Sequence, residues 1–167
     1  EKVKCSLPLP DNVGINGDAA KKMYINNGYS EKEIIEVEAL RYLHLSNFKK
    51  HNRQRLNNKN TVVLVLGGYM KEDTKFLMDL LEATAQEMDK SIEFIVKPHP
   101  NCPIFQENYP NLSFQVSNEP IYELLNKCSM AYTSAVTSSA VDAYCAGKKV
   151  ITAFNPINLN RSPLRGF

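Results

Sequence analysis

Thr61-Val62-Val63-Leu64-Val65-Leu66-Gly67-Gly68 is the stretch that decides the fold. Its run of valine and leucine is too continuous for a strand with one wet face. It reads as a strand buried on both faces, the pattern of a parallel sheet covered by helices. Downstream the chain keeps a regular rhythm. Glu72–Asp89 predicts a helix with Phe76, Leu77, Leu80, Leu81 and Met88 on one stripe, and Glu72 and Asp73 favour its N-terminus. Ile92–Val96 predicts a second strand and Leu112–Val116 a third. Pro120 opens a short helix through Lys127, with Asn118 or Glu119 as its cap. Ser129–Thr133 is a fourth strand, Ser138–Ala146 a helix ended by Gly147, and Lys149–Phe154 a fifth strand. Alternation at this spacing predicts an α/β, Rossmann-like, doubly wound parallel sheet. The usual order sets its first and fourth strands side by side, at the switch point where such sheets bind ligands. The loops expected there are Gly67-Gly68, Lys97–Pro100 and Ser134–Ser139.

Upstream the pattern is weaker. Val3–Leu7 and Val13–Asn16 are short strand candidates, and Asp18 caps an expected helix over Ala19–Asn27 that Gly28 stops. Ile34–Val37 fits a strand or a helix start. Residues 46–60 hold almost nothing apolar and read as a polar linker. The expected organisation is therefore the tail of a preceding domain over 1–45, a linker over 46–60, and the Rossmann-like domain over 61–167.

Composition narrows the function classes. The 167 residues are 43% hydrophobic and 23% charged, and Lys+Arg 20 against Asp+Glu 18 gives a net charge of +2. That balance argues against a nucleic-acid partner, which favours a clustered basic face. No run of about 18 apolar residues suggests a transmembrane helix. The pattern fits a cytoplasmic protein. Cys5, Cys102, Cys128 and Cys145 have no CxxC or zinc-finger spacing. Cys5, Cys128 and Cys145 lie in apolar contexts and read as small buried residues in a reducing compartment, so no metal is expected. The sequons at Asn111 and Asn160 carry no meaning in that compartment.

Three features can carry chemistry. His99 stands between Pro98 and Pro100 directly after a buried strand. Each proline stiffens the backbone, so the imidazole is held at the ligand edge, where it can donate to a phosphate or protonate a leaving one. Lys97 can add charge. Thr137-Ser138-Ser139 opens a helix, and free N–H groups with hydroxyls beside them suit an anion, although a plain Ser/Thr cap gives the same sequence. Asp142, one turn on, can accept from ribose hydroxyls. Gly67-Gly68 lets the backbone approach a ligand. Neither GxGxxG nor GxxxxGK[ST] is present, which disfavours dinucleotide and P-loop chemistry.

Lys97-Pro98-His99-Pro100 after one strand, with Ser138-Ser139 opening a helix two strands later, resembles the C-terminal, nucleotide-binding domain of GT-B glycosyltransferases of bacterial surface polysaccharides. Similar pairs occur in sialyl- and polysialyltransferases, in capsule transferases that use CMP-sugars, and in glycerophosphotransferases that use CDP-glycerol. The resemblance implies that His99, Pro100, Ser138 and Ser139 bind the donor's phosphate. It places Asp142 where the broader family has a ribose-binding Glu. It covers roughly residues 10–167, with Glu38–Tyr42 like the end of an acceptor domain and Leu159–Gly166 like the stretch after the last donor-side strand. It implies inverting transfer from a nucleotide-sugar, a CMP-sugar among the candidates, with the nucleotide-sugar as substrate and no separate cofactor. The acceptor, saccharide or lipid-linked, and the catalytic base would come from a domain ahead of residue 1, and a closing helix would follow residue 167. Such an enzyme would work in the cytoplasm or peripherally at the inner membrane face, on capsule or lipopolysaccharide. Two alternatives remain: a polyol-phosphate transferase or sugar-nucleotide epimerase, and a non-catalytic scaffold or regulatory module.

Overall fold

A computed structural model describes residues 10–37 and 61–164, which fall into two separate units. The expected strand at Val3–Leu7, the linker over 46–60 and the Glu38–Tyr42 stretch lie outside these residues.

The first unit is a small β-α-β turn. Strand β1 (Val13–Ile15) and strand β2 (Ile34–Glu36) pair in parallel, with helix α1 (Asp18–Asn26) between them. Ile34 thus begins a strand, not a helix. Gly17 caps α1 at φ 110° with no side-chain bond, so Asp18 is its first residue and not the expected cap. Ser30 and Glu33 form a reciprocal capping box just before β2.

The second unit is the Rossmann-like α/β domain. Its strands are β3 (Thr61–Leu66), β4 (Ile92–Lys97), β5 (Gln115–Val116), β6 (Met130–Ser134) and β7 (Lys149–Ala153). They lie in the order β5-β4-β3-β6-β7, and every pair is parallel. The first and fourth strands of the domain are neighbours, as expected. Helices α2 (Lys71–Thr84), α3 (Ile121–Lys127) and α4 (Ser139–Cys145) connect them. Strand β3 is central, and Val62 to Leu66 are all buried. Val63 and Val65 join Leu77, Met78 and Leu81 of α2, and Phe94 and Val96 of β4, in one core cluster. Strand alternation turns Val62, Leu64 and Leu66 to the opposite face, where α3 and α4 touch the sheet and each other.

The differences from expectation have local causes. Helix α2 stops at Thr84, not Asp89. The Thr84 hydroxyl donates to the Leu80 carbonyl at 2.9 Å, and Ala85 N–H then bonds three residues back, to Glu82, so the helical ladder tightens and ends. The buried stripe of α2 is Thr74, Leu77, Met78 and Leu81, while Leu80 is 41% exposed. The stripe is rotated by about one residue from the expected one. Strand β5 has two residues, not five. Gln106 Nε2 donates to the carbonyls of Tyr109 and Leu112 at 2.9 and 2.7 Å, which occupies backbone that a longer strand would have paired. Helix α4 ends as expected: Gly147 has φ 73°, and Lys148 N–H reaches back to the Ala143 carbonyl at 3.0 Å. Cys128 and Cys102 are buried, but Cys145 is exposed on the outer side of α4, against expectation.

Truncating Leu77, fully buried between α2 and the sheet, is expected to cost about 3 kcal/mol, whereas Leu80→Ala should change stability by less than about 0.5 kcal/mol. Urea unfolding of both variants checks the rotated stripe. Burial also pushes the Cys128 thiol above its ordinary value of 9.0. Folding thus favours the protonated thiol, so its contribution is whole below the ordinary value and is lost as pH rises through the folded one. Cys128→Ala should therefore lessen the alkaline loss of stability in a pH series of melting curves.

Candidate functional site

The carboxyl ends of β4, β3 and β6 lie side by side, so the three loops that follow them meet at one edge of the sheet. Gly67-Gly68 is the middle loop, and each glycine touches a different neighbour. A Cβ on Gly67 would come 3.9 Å from the His99 backbone nitrogen and 3.2 Å from Thr74 Cγ2. A Cβ on Gly68 would come 2.8 Å from both Ser134 Oγ and Val136 Cγ2. The second position therefore admits no side chain unless Ser134 and Val136 shift. The turn is also held from α2. Gly68 N–H donates to Thr74 Oγ1 at 3.0 Å, and the same hydroxyl donates to the Gly68 carbonyl at 2.9 Å. Both polar groups of Gly68 are thus engaged within the protein.

His99 is half-buried at the head of a tight turn. Its carbonyl accepts from Cys102 N–H at 2.8 Å, and its Nδ1 accepts from Asn101 N–H at 3.2 Å. An accepting Nδ1 carries no proton, so the ring's N–H is at Nε2. The turn thereby selects the tautomer that donates from the ring's far side. Tyr69, 52% exposed, sets its ring edgewise to the imidazole with centroids 6.4 Å apart. Pro100 is exposed beside it.

The third loop differs from its expected reading. Thr137 is buried, and its Oγ1 accepts from Ser139 N–H at 3.3 Å. Thr137 is thus a local cap through an acceptor lone pair of its hydroxyl. Ser138 occupies the N-cap position with helical backbone and no side-chain cap bond. The hydroxyls of Ser138 and Ser139 are half-buried and make no capping bond of their own. Helix α4 has seven residues, which leaves a short macrodipole.

Two other residues do not join the site as expected. Lys97 Nζ donates to the Glu119 carbonyl at 2.7 Å and ties the end of β4 to the approach to α3. That bond uses one of the ammonium's three donors and directs the side chain toward the backbone before α3. Asp142 is 4% exposed, buried on the inner side of α4.

One residue of the edge carried no distinctive sequence signal. Ser134 ends β6 with its side chain 1% exposed, and its hydroxyl has no hydrogen-bond partner. A serine closing an apolar strand looks like any turn residue. Only its burial sets it apart. Asp73, in the first turn of α2, is also buried and accepts from Asn158 Nδ2 at 3.1 Å, which brings the stretch after β7 to the start of α2. Glu72 and Asp73 set negative charge at the helix start where a Rossmann-type diphosphate would sit. Among the described residues, no group of three His, Cys, Asp or Glu is placed to hold a metal ion, and no helix is long and apolar enough to cross a membrane.

Gly68→Ala is expected to destabilise the domain by about 1–3 kcal/mol through overpacking. Gly67→Ala should cost less, because the closest atom is a side-chain methyl at 3.2 Å. Paired denaturation curves separate the two.

No family model matches the chain, and no curated protein matches it. Among solved structures, three of homoserine dehydrogenase from S. aureus, at pH 6.5, 6.0 and 8.5, share part of the chain trace. Their identities are 15%, 14% and 13%, and their TM-scores 0.39, 0.38 and 0.38. They cover 57%, 56% and 56% of this chain, and the matched part spans 26%, 26% and 25% of theirs.

Proposed function

We propose that this chain is the donor-binding half of an inverting GT-B glycosyltransferase that uses a nucleotide-activated sugar. One observation carries the reading. Gly67-Gly68 lies between the His99 turn and the Ser134–Ser139 loop, so the imidazole and the serine hydroxyls belong to one edge of the sheet. His99 offers Nε2–H, and Ser138 and Ser139 offer O–H groups. These are donors suited to phosphate oxygens.

The charge balance favours a donor with one phosphate. Lys97 is engaged elsewhere, and Glu72 and Asp73 stand close by on α2. A site whose donors are an imidazole and hydroxyls, with two carboxylates near by, suits the single charge of a CMP-sugar better than the two charges of a diphosphate donor. In the reaction, the acceptor oxygen bonds to the anomeric carbon as the bond from that carbon to the phosphate oxygen breaks. The nucleotide leaves with the bonding pair. His99 and the two serines stabilise the charge that gathers on its phosphate. The acceptor's proton goes to a carboxylate base on the acceptor side, since Asp142 is buried and Asp73 is held by Asn158. On this reading the enzyme serves bacterial surface polysaccharide synthesis at the cytoplasmic face of the membrane.

Calorimetry of the chain against CMP, CDP-glycerol, UDP and GDP tests the proposal. CMP binding that His99→Ala or Ser138→Ala weakens about tenfold, the loss of one charge-assisted hydrogen bond, is the expected result. A preference for CDP-glycerol would move the reading to polyol-phosphate transfer. No binding by any of the four would overturn it in favour of a non-catalytic module.

A further inference from the structure

The hydroxyl of Ser134 differs from the other donors at this edge in being fully buried and still without employment. It is sealed from water and has no hydrogen-bond partner. A buried hydroxyl in that state keeps the cost of leaving water and recovers nothing. Alanine would fill the same place in β6 without that cost. The Gly68 turn lies against the oxygen, close enough that a Cβ there would stand 2.8 Å from Ser134 Oγ. Yet Gly68 gives its N–H and its carbonyl to Thr74, and neither to Ser134. The turn lies across Ser134 like a flap whose fastening is on α2.

The geometry points to Ser134 as a third hydroxyl of the phosphate site, beside Ser138 and Ser139, uncovered when an entering phosphate displaces the Gly67-Gly68 turn. The inference rests on the nucleotide reading above and deepens it. Two successive glycines let the turn change its backbone angles with no side chain to strain. Displacement costs Gly68 its two bonds to Thr74, both between neutral groups. It gives Ser134 a charged acceptor, and hydrogen bonds to charged acceptors are stronger than those between neutral partners. The ligand class is a nucleoside phosphate ester with one phosphate, as the monoester CMP or the diester of a CMP-sugar. Binding would thus order the site in steps: first His99 and the half-buried serines, then Ser134.

The test uses the full chain, thermal unfolding and calorimetry with CMP. Without ligand, Ser134→Ala should melt at or above the wild-type temperature, because an unpaired hydroxyl has been removed. With CMP its affinity should fall about tenfold, as for Ser138→Ala. Thr74→Val, which unfastens the flap, should lower the melting temperature while leaving CMP affinity equal or higher. If Ser134→Ala binds CMP as the wild type does while Ser138→Ala is weakened, this inference fails and the nucleotide reading stands. If Ser134→Ala melts well below wild type without ligand, the hydroxyl has a structural partner and the inference also fails. If the wild type binds none of CMP, CDP-glycerol, UDP and GDP, both fall together.

Discussion

Everything at the site depends on the parallel pairing of β3 with a neighbour on each side. Six residues of β3 pair with β4, and four with β6. Parallel strands end at the same edge, so both pairings bring three loops to one place. The same constraint explains the composition of β3. A strand with a sheet neighbour on each side and a helix layer on each face has no wet surface, and every residue from Val62 to Leu66 is buried. The chain then has to turn between two other loops that crowd it. Gly67-Gly68 is what that crowding permits.

The sheet was legible because its signal is local and repeated. Each strand of the domain begins within three residues of its expected start, and the strand order follows the expected winding. What failed to show in the sequence was set by side chains acting on backbone. Thr84 ends α2 early by donating to Leu80, and Gln106 shortens β5 by taking the Tyr109 and Leu112 carbonyls. Neither act has a periodicity. The helical stripe was displaced for a related reason: Thr74 is buried to hold Gly68, which turns Leu80 outward.

The site divides along the same line. Placement of His99, Ser138 and Ser139 at the carboxyl edge of the sheet follows from strand order and was readable. The employment of Lys97, Thr137 and Asp142 was not, because charge or hydroxyl in a sequence says nothing of the group that already claims it. Lys97 is claimed by a carbonyl 22 residues away, and Thr137 by an amide two residues on. Ser134 is the opposite case, a residue with no motif that becomes conspicuous only when its surroundings are known.

These reassignments leave an edge whose unengaged donors are an imidazole N–H and hydroxyls. An imidazole fixed in one tautomer and a few hydroxyls bind more weakly than lysine or arginine would, but they ask less of the protein. A free cation at a partly buried edge must be kept hydrated or paired. On the proposed reading, the imidazole and hydroxyl donors tolerate water while the site stands open and act fully only when a phosphate has displaced it. On the proposed reading that suits a donor half that closes against an acceptor half. Affinity would then come chiefly from closure, and the open edge would be free to release the spent nucleotide.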